Sequence, residues 1–280
     1  MVNMNRLSHE ERCRVVAALV EGNSIRATVR MTGVAKNTIA KLLVDVGTAC
    51  SEYQDRAMRN LSCKTIQVDE IWSFIGCKQK NVKVYPDCPV MGDVWTWVAI
   101  DADTKLVPSF LLGNRDSNCA RMFMHDLAGR LASRVQLTSD GHKTYLNSVP
   151  EAFGEEIDYA MLRKIYGEDG GRGSERRYSP GVCLGAERIP MIGNPDESKI
   201  STSFVERQNL TMRMGMRRFT RLTNGFSKKV ENHAAAIALH FMWYNFGRKH
   251  QTLKTTPAMA AGVADHIWSI GEVVSLADSN

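Results

Sequence analysis

Through the first 46 residues, apolar side chains recur every three or four positions, the spacing of one helical face. Ser8 followed by Glu11 has the pattern of a capping box, and Val15, Val16, Leu19 and Val20 form an apolar stripe ending at Gly22. Ser24 opens a second, short helix through Ile25, Ala27, Val29 and Met31, which Gly33 stops. A third helix starts near Lys36 and buries Ile39, Leu42, Leu43 and Val46. Two short helices around a Gly-containing turn predict a helix-turn-helix in residues 1–46, although a plain three-helix bundle has the same pattern. Residues 47–64 are polar and mixed and read as a linker helix.

After residue 64 the period shortens from helical to extended. An apolar run surrounds Asp69, and residues 94–100 and 106–112 are β-rich, with a turn at 101–105 that predicts a hairpin. A helix is predicted over 117–132 with Met122, Phe123, Leu127 and Leu131 inward, then a strand ending at Asp140 and a helical segment near Tyr145. A later helix carries Glu206. This order predicts an α/β domain over 65–265, a mixed five-stranded sheet flanked by helices, with the all-α segment ahead of it. Glycine and charge crowd residues 167–181, so a flexible insertion is expected over about 167–200. Its Arg172, Arg176 and Arg177 suit either DNA contact or a plain loop. Residues 266–280 read as a C-terminal tail.

Composition adds exclusions. With 44% hydrophobic and 24% charged residues in 280, the chain has the make-up of a soluble globular protein. No apolar run approaches the roughly 18 residues of a membrane span, and the first residues lack the apolar core of a signal peptide. Seven cysteines, an odd number without a CxxC pair, argue against a disulfide framework or structural zinc and for reduced thiols in a cytoplasm. The net charge of +6 is modest, but its distribution is not: seven basic residues and no acidic one lie between Arg207 and Lys229. Such blocks are usually solvated faces; beside an acidic site this one favours a phosphate partner.

Three isolated acids, Asp69, Asp140 and Glu206, occupy settings suited to metal chemistry, since two-metal phosphoryl transfer needs carboxylates projecting from neighbouring elements. Glu70 competes with Asp69, and strand alternation predicts that only one of the two faces the site. Asp93, Asp101 and Asp103 read as turn residues, and Met212, Met214 and Met216 as packing. Asn209 and Arg213 share the helical face of Glu206 and are candidates for DNA phosphate or metal-water contacts. His142 and Lys143 follow Asp140 closely enough to touch a scissile phosphate. Candidate DNA contacts are Lys36, Asn37, Thr38 and Lys41 on the third helix, with Arg26 and Arg30 for the backbone. The basic block contributes Arg207, Arg217, Arg218, Arg221, Lys228 and Lys229.

These motifs together resemble the RNase H-like core of DDE transposases and retroviral integrases, and more narrowly the transposases of the insertion-sequence-one family. The stretches that carry the resemblance are Val68-Asp69-Glu70-Ile71-Trp72, Gly92-Asp93-Val94-Trp95-Thr96-Trp97, Thr138-Ser139-Asp140-Gly141-His142 and Phe204-Val205-Glu206-Arg207-Gln208-Asn209. Arg217-Arg218-Phe219-Thr220-Arg221 and the segment from Tyr244 through His250 to Pro257 extend it, so that it covers most of residues 65–263. The resemblance implies Asp69 on the first strand, Asp140 at the end of the fourth and Glu206 on a later helix. Together they would hold two Mg²⁺ or Mn²⁺ ions, with His250 as an accessory position. It also implies double-stranded DNA as partner, at element ends and target, and cleavage that frees a 3′-hydroxyl for strand transfer. A homo-oligomer, simplest as a dimer, would bring two ends together. The chain departs from members that carry a cysteine zinc module ahead of the helix-turn-helix. The rival functions are a DNA-binding regulator without catalysis and an RNase H-like nuclease that cuts without joining.

Overall fold

The computed structural model describes residues 7–84, 91–167, 183–220 and 224–278. Three helices lead: α1 (His9–Val20), α2 (Ile25–Thr32) and α3 (Lys36–Ala57). The Ser8–Glu11 capping box is present at the start of α1, and Gly33 ends α2 in the left-handed conformation. Helix α3 does not stop at Val46. It runs on through the stretch read as a linker because a second set of residues, Gly47, Ala49, Cys50 and Gln54, is buried in turn. Their cover is α7 (Val230–Met242). The two backbones lie so close at Gly47 that a Cβ there would fall 2.4 Å from the Ala235 carbonyl oxygen. Gln54 Nε2 donates across the same contact to the Ala238 carbonyl at 3.1 Å. One continuous apolar core therefore joins the leading helices to the rest of the chain.

The sheet contains β1 (Thr65–Ile75), β2 (Gly92–Asp101), β3 (Phe110–Gly113), β4 (Val135–Asp140), β5 (Ile157–Tyr166) and β6 (Cys183–Ile192). Among the described residues its order is β3-β2-β1-β4-β5-β6, six strands rather than the five expected. The extra strand lies within the stretch expected to be a flexible insertion, where β6 pairs antiparallel with β5 from Tyr159 to Tyr166. Its side chains are mostly exposed, so no apolar alternation announces it. Arg172, Arg176 and Arg177 lie outside the described residues. β1 is antiparallel to β2 and parallel to β4, and β4 is parallel to β5.

Strand β3 is shorter than its sequence suggests. Pro108 has no N–H to donate to a ladder, and Asn245 takes over at Val107, accepting from its N–H and donating to its C=O at 3.0 Å each. Helix α4 (Ser117–Ala128) ends at Gly129, so Leu131 falls beyond it and forms a β-bridge with Leu61. Its inner face is Ala120, Phe123, Met124 and Leu127, while Met122 is exposed. α5 (Tyr145–Phe153) packs on α4, and α6 (Ser203–Gly215) packs on β1 and β2. Met212 and Met216 are buried, whereas Met214 is exposed.

The stretch from residue 266 is packed. Trp268 meets the rings of Tyr53 and Phe246, α9 (Ile270–Ser275) lies against α1, and Asp278 pairs with Arg12. Among the described residues, no helix is long and apolar enough to cross a membrane.

Candidate active site

The parallel pairing of β1 with β4 is short. Thr65–Gln67 match Gln136–Thr138, and beyond them the two strands part. Asp69 and Asp140 each stand two residues past the last paired position, and so on the same faces of their strands as Gln67 and Thr138. Gln67 secures the approach of α6: its Oε1 accepts from the backbone N–H groups of Phe204 and Val205 at 2.8 and 3.2 Å. These are first-turn donors with no partner inside the helix. One turn further on, Asn209 Nδ2 donates to Asp69 Oδ2 at 2.8 Å. The other oxygen, Asp69 Oδ1, accepts from the Glu70 N–H at 2.8 Å.

Glu70 leaves the opposite face of β1 and is buried. Its Oε1 accepts from the Tyr145 hydroxyl at 2.5 Å and its Oε2 from Arg115 Nε at 3.0 Å. Carboxylate oxygens of Asp69, Glu70 and Asp140 nevertheless all lie within 4.8 Å of one another. Alternation along β1 therefore does not exclude one of the two neighbours, as the sequence suggested. Where β4 has moved away there is no strand between the faces, and side chains from both reach the same gap. Asp140 Oδ1 accepts from the His142 N–H at 2.9 Å, and Arg115 Nη2 stands 3.9 Å from Asp140 Oδ2. The Arg115 guanidinium is also held 4.8 Å from the centre of the Trp95 ring.

Crowding of like charge in a poorly hydrated gap has the usual result. Burial, and then the carboxylates of Glu70 and Asp140, raise the Asp69 pKa to about 7. Glu70 is raised as well, chiefly by burial. Tyr145, wholly buried beside Glu70, is pushed well above the ordinary tyrosine range and stays a donor. Burial lowers His142, whose Nδ1 lies 2.5 Å from Thr144 Oγ1.

This donor set fits a hard divalent cation. Three carboxylates meet at one point, and a cation there would relieve the repulsion that holds a proton on Asp69. Asn209 Oδ1 adds a buried acceptor with no hydrogen-bond partner beside them.

Glu206 stands apart from that group. Its carboxylate takes both oxygens to Lys164 Nζ, at 2.5 and 2.6 Å, and Oε1 also accepts from Thr202 Oγ1 at 2.5 Å. It sits one helical turn before Asn209, at the border of the site. His250 is governed by burial and by the cations Lys105 and Arg248. Glu70, Arg115 and Tyr145 are the participants that sequence reasoning missed. Glu70 was visible as the neighbour of Asp69, but nothing in the Gly113-Asn114-Arg115-Asp116 turn marks Arg115.

A second feature lies at the far end of α6. There the loop after α1, the start of α3, residues 215–218, residues 224–229 and α7 enclose a cleft of about 750 Å³. Arg26, Lys36, Arg217, Arg218, Lys228 and Lys229 line it, and no acidic residue does. Two sets of candidate DNA contacts, distant in sequence, are thus brought together. Arg30, Asn37, Thr38 and Lys41 are exposed nearby on α2 and α3, while Lys143 and Arg207 are exposed on the loop before α5 and on α6. Arg213 is half-buried, and Arg221 lies outside the described residues.

No family model and no curated protein matches the sequence. Among solved structures, the chain is similar to a piggyBac transposase in a synaptic complex with hairpin DNA. The identity there is 11% over 98% of this chain and 71% of the other, with a TM-score of 0.40. It is also similar to the Mos1 strand transfer complex, at 12% identity over 84% of this chain and 77% of that one, with a TM-score of 0.24. Likeness at these values does not establish a shared fold.

Proposed function

We infer that the chain is a metal-dependent DNA transposase, an enzyme that cuts the ends of an insertion element and joins the freed 3′-hydroxyl to target DNA. The observation that carries this reading is the meeting of Asp69, Glu70 and Asp140 where β1 and β4 part. Its support is chemical: a desolvated cluster of carboxylates suits divalent cations, and an acid-free basic cleft suits a polyanion. The motif resemblance supports the same choice, with Asp69 on the first strand, Asp140 closing the fourth and Glu206 on a later helix.

Asp69 and Asp140 face each other across the gap and bind Mg²⁺ or Mn²⁺ there, with Glu70 beside them. Glu206 supplies the remaining carboxylate of the family pattern from the border, where Lys164 holds it. Bound at this place, the cations polarise the attacking and leaving oxygens of a phosphodiester. Asn209 fixes the orientation of Asp69, and Tyr145 and Arg115 fix that of Glu70. Arg115 also offsets the negative charge of the cluster from the open side. His142 and Lys143 border Asp140 on the substrate side. The start of α3, with Lys36, Asn37, Thr38 and Lys41, reads the element end, and Arg26, Arg30 and the basic block hold its backbone. A dimer is the simplest assembly that pairs two ends.

The reading is tested with Mg²⁺ and DNA carrying the sequences that flank the coding region. Wild-type protein is expected to yield joined products, and Asp69→Asn and Asp140→Asn to bind the same DNA without cutting. Binding without cutting by wild type as well would leave a DNA-binding regulator. Cutting without joining would leave a nuclease.

A further inference from the structure

The basic cleft has a property that gripping a duplex does not explain: its floor is apolar. Below the six cations lie Leu19, Val20, Ile25, Leu43 and Leu239, with the Phe226 ring at the edge. Gly22, at φ +79°, closes one end against α6; a Cβ there would fall 2.7 Å from the Gly215 carbonyl oxygen. In the wall, His240 is buried and its Nε2 has no hydrogen-bond partner. An unsatisfied buried polar atom is costly, so this one points to a ligand group that meets it.

We propose that this cleft binds an unpaired nucleotide of single-stranded DNA, its base on the apolar floor and its flanking phosphates on the basic rim. The proposal rests on the reading of the chain as an enzyme of DNA, and it assigns a strand state to one part of its surface. A duplex keeps its bases stacked inside and would offer the cleft phosphates alone, leaving the floor unused. A fatty acid would match floor and rim but has no group for His240 Nε2. A base has an apolar face and a hydrogen-bonding edge, and its backbone is anionic, so it satisfies all three features. The size agrees, since about 750 Å³ lies within the range of sites that enclose small organic ligands. The position agrees too. Asn209, at the acidic cluster, and Gly215, at the cleft, are six residues apart on α6, about 9 Å along its axis at 1.5 Å per residue.

The test uses the full chain in EDTA, so that cleavage plays no part, and reads the anisotropy of a labelled single-stranded oligonucleotide. One probe is intact, one carries abasic sites, and one is a duplex of the same length. Wild type is expected to bind the intact strand about tenfold more tightly than the abasic strand, on the order of one stacked base. Ala40→Trp fills the floor and leaves every cation in place. It is expected to bind the intact strand as weakly as wild type binds the abasic one, with duplex affinity within about twofold of wild type. Equal binding of intact and abasic strands by wild type overturns the proposal, as does failure to bind single strands at all. The abasic comparison needs no variant, so misfolding of Ala40→Trp would not shield the idea. Asp69→Asn should retain the preference for the intact strand. Failure of the cleft proposal therefore leaves the catalytic reading standing, and the reverse holds too.

Discussion

Asn209 donates to Asp69 at 2.8 Å, so α6 reaches the first strand through an amide, while Glu206, one turn earlier, is held by Lys164. That hydrogen bond orients a carboxylate of the candidate metal site, and residues in this role commonly contribute about 10- to 100-fold to metal affinity or activity. Asn209→Ala is expected to weaken Mn²⁺ binding by about tenfold while leaving the fold intact. A metal titration beside a circular dichroism spectrum checks it, and unchanged affinity would remove Asn209 from the site.

The raised pKa of Asp69 predicts a pH dependence with a definite sign. Its folded value of about 7 lies above the ordinary value of 3.8, so the carboxyl is most stabilising when protonated. That contribution is complete below about 4 and is lost as pH rises through 7. Buried His233 and His240, lowered to about 3 and 4, act in the opposite sense below pH 6.5, so wild type alone gives a mixed signal. Asp69→Asn isolates the effect, because the amide stands in for the protonated acid. In EDTA the two melting temperatures should nearly coincide at pH 5 and diverge by pH 8, with wild type the less stable. Added Mg²⁺ should raise wild type alone at pH 8. A constant difference from pH 5 to 8 contradicts the raised pKa.

Glu206 and Lys164 are both partly exposed, so their ion pair contributes little to stability, about 1 kcal/mol or less. Lys164→Ala should leave the denaturation midpoint nearly unchanged and keep cleavage. Glu206→Gln should fold equally well and lose at least about 100-fold in cleavage. Glu206→Gln at wild-type rate would give the third position to Glu70 alone.

Gly47 is the narrowest point between α3 and α7. Gly47→Leu has no space for its side chain and should destabilise the whole chain by about 3 kcal/mol or more. Urea denaturation followed by tryptophan fluorescence should show one transition shifted to lower urea. A transition confined to the leading helices would mean that they fold as a separate unit.

Much of this was legible in the sequence where periodicity and caps act locally. Ser8 with Glu11, the stripe through Val15 and Val16, and the apolar run ending at Asp140 all announce their elements. The failures have long-range causes. α3 continues past Val46 because α7, almost 200 residues later, covers Gly47 and Cys50. β6 was missed because its exposed side chains leave only backbone pairing with β5 to define it. At the site, alternation correctly sends Asp69 and Glu70 to opposite faces of β1. What it could not supply is that β4 parts from β1 after Thr138, leaving a gap that both carboxylates reach.

The most direct test of the account is Mn²⁺ binding, measured calorimetrically at pH 8 on wild type, Asp69→Asn and Asp140→Asn. The account predicts that wild type binds the ion and that each variant loses at least about 100-fold in affinity with its fold unchanged. Wild-type affinity in both variants would contradict it, because the carboxylates that meet between β1 and β4 would then not be the metal ligands.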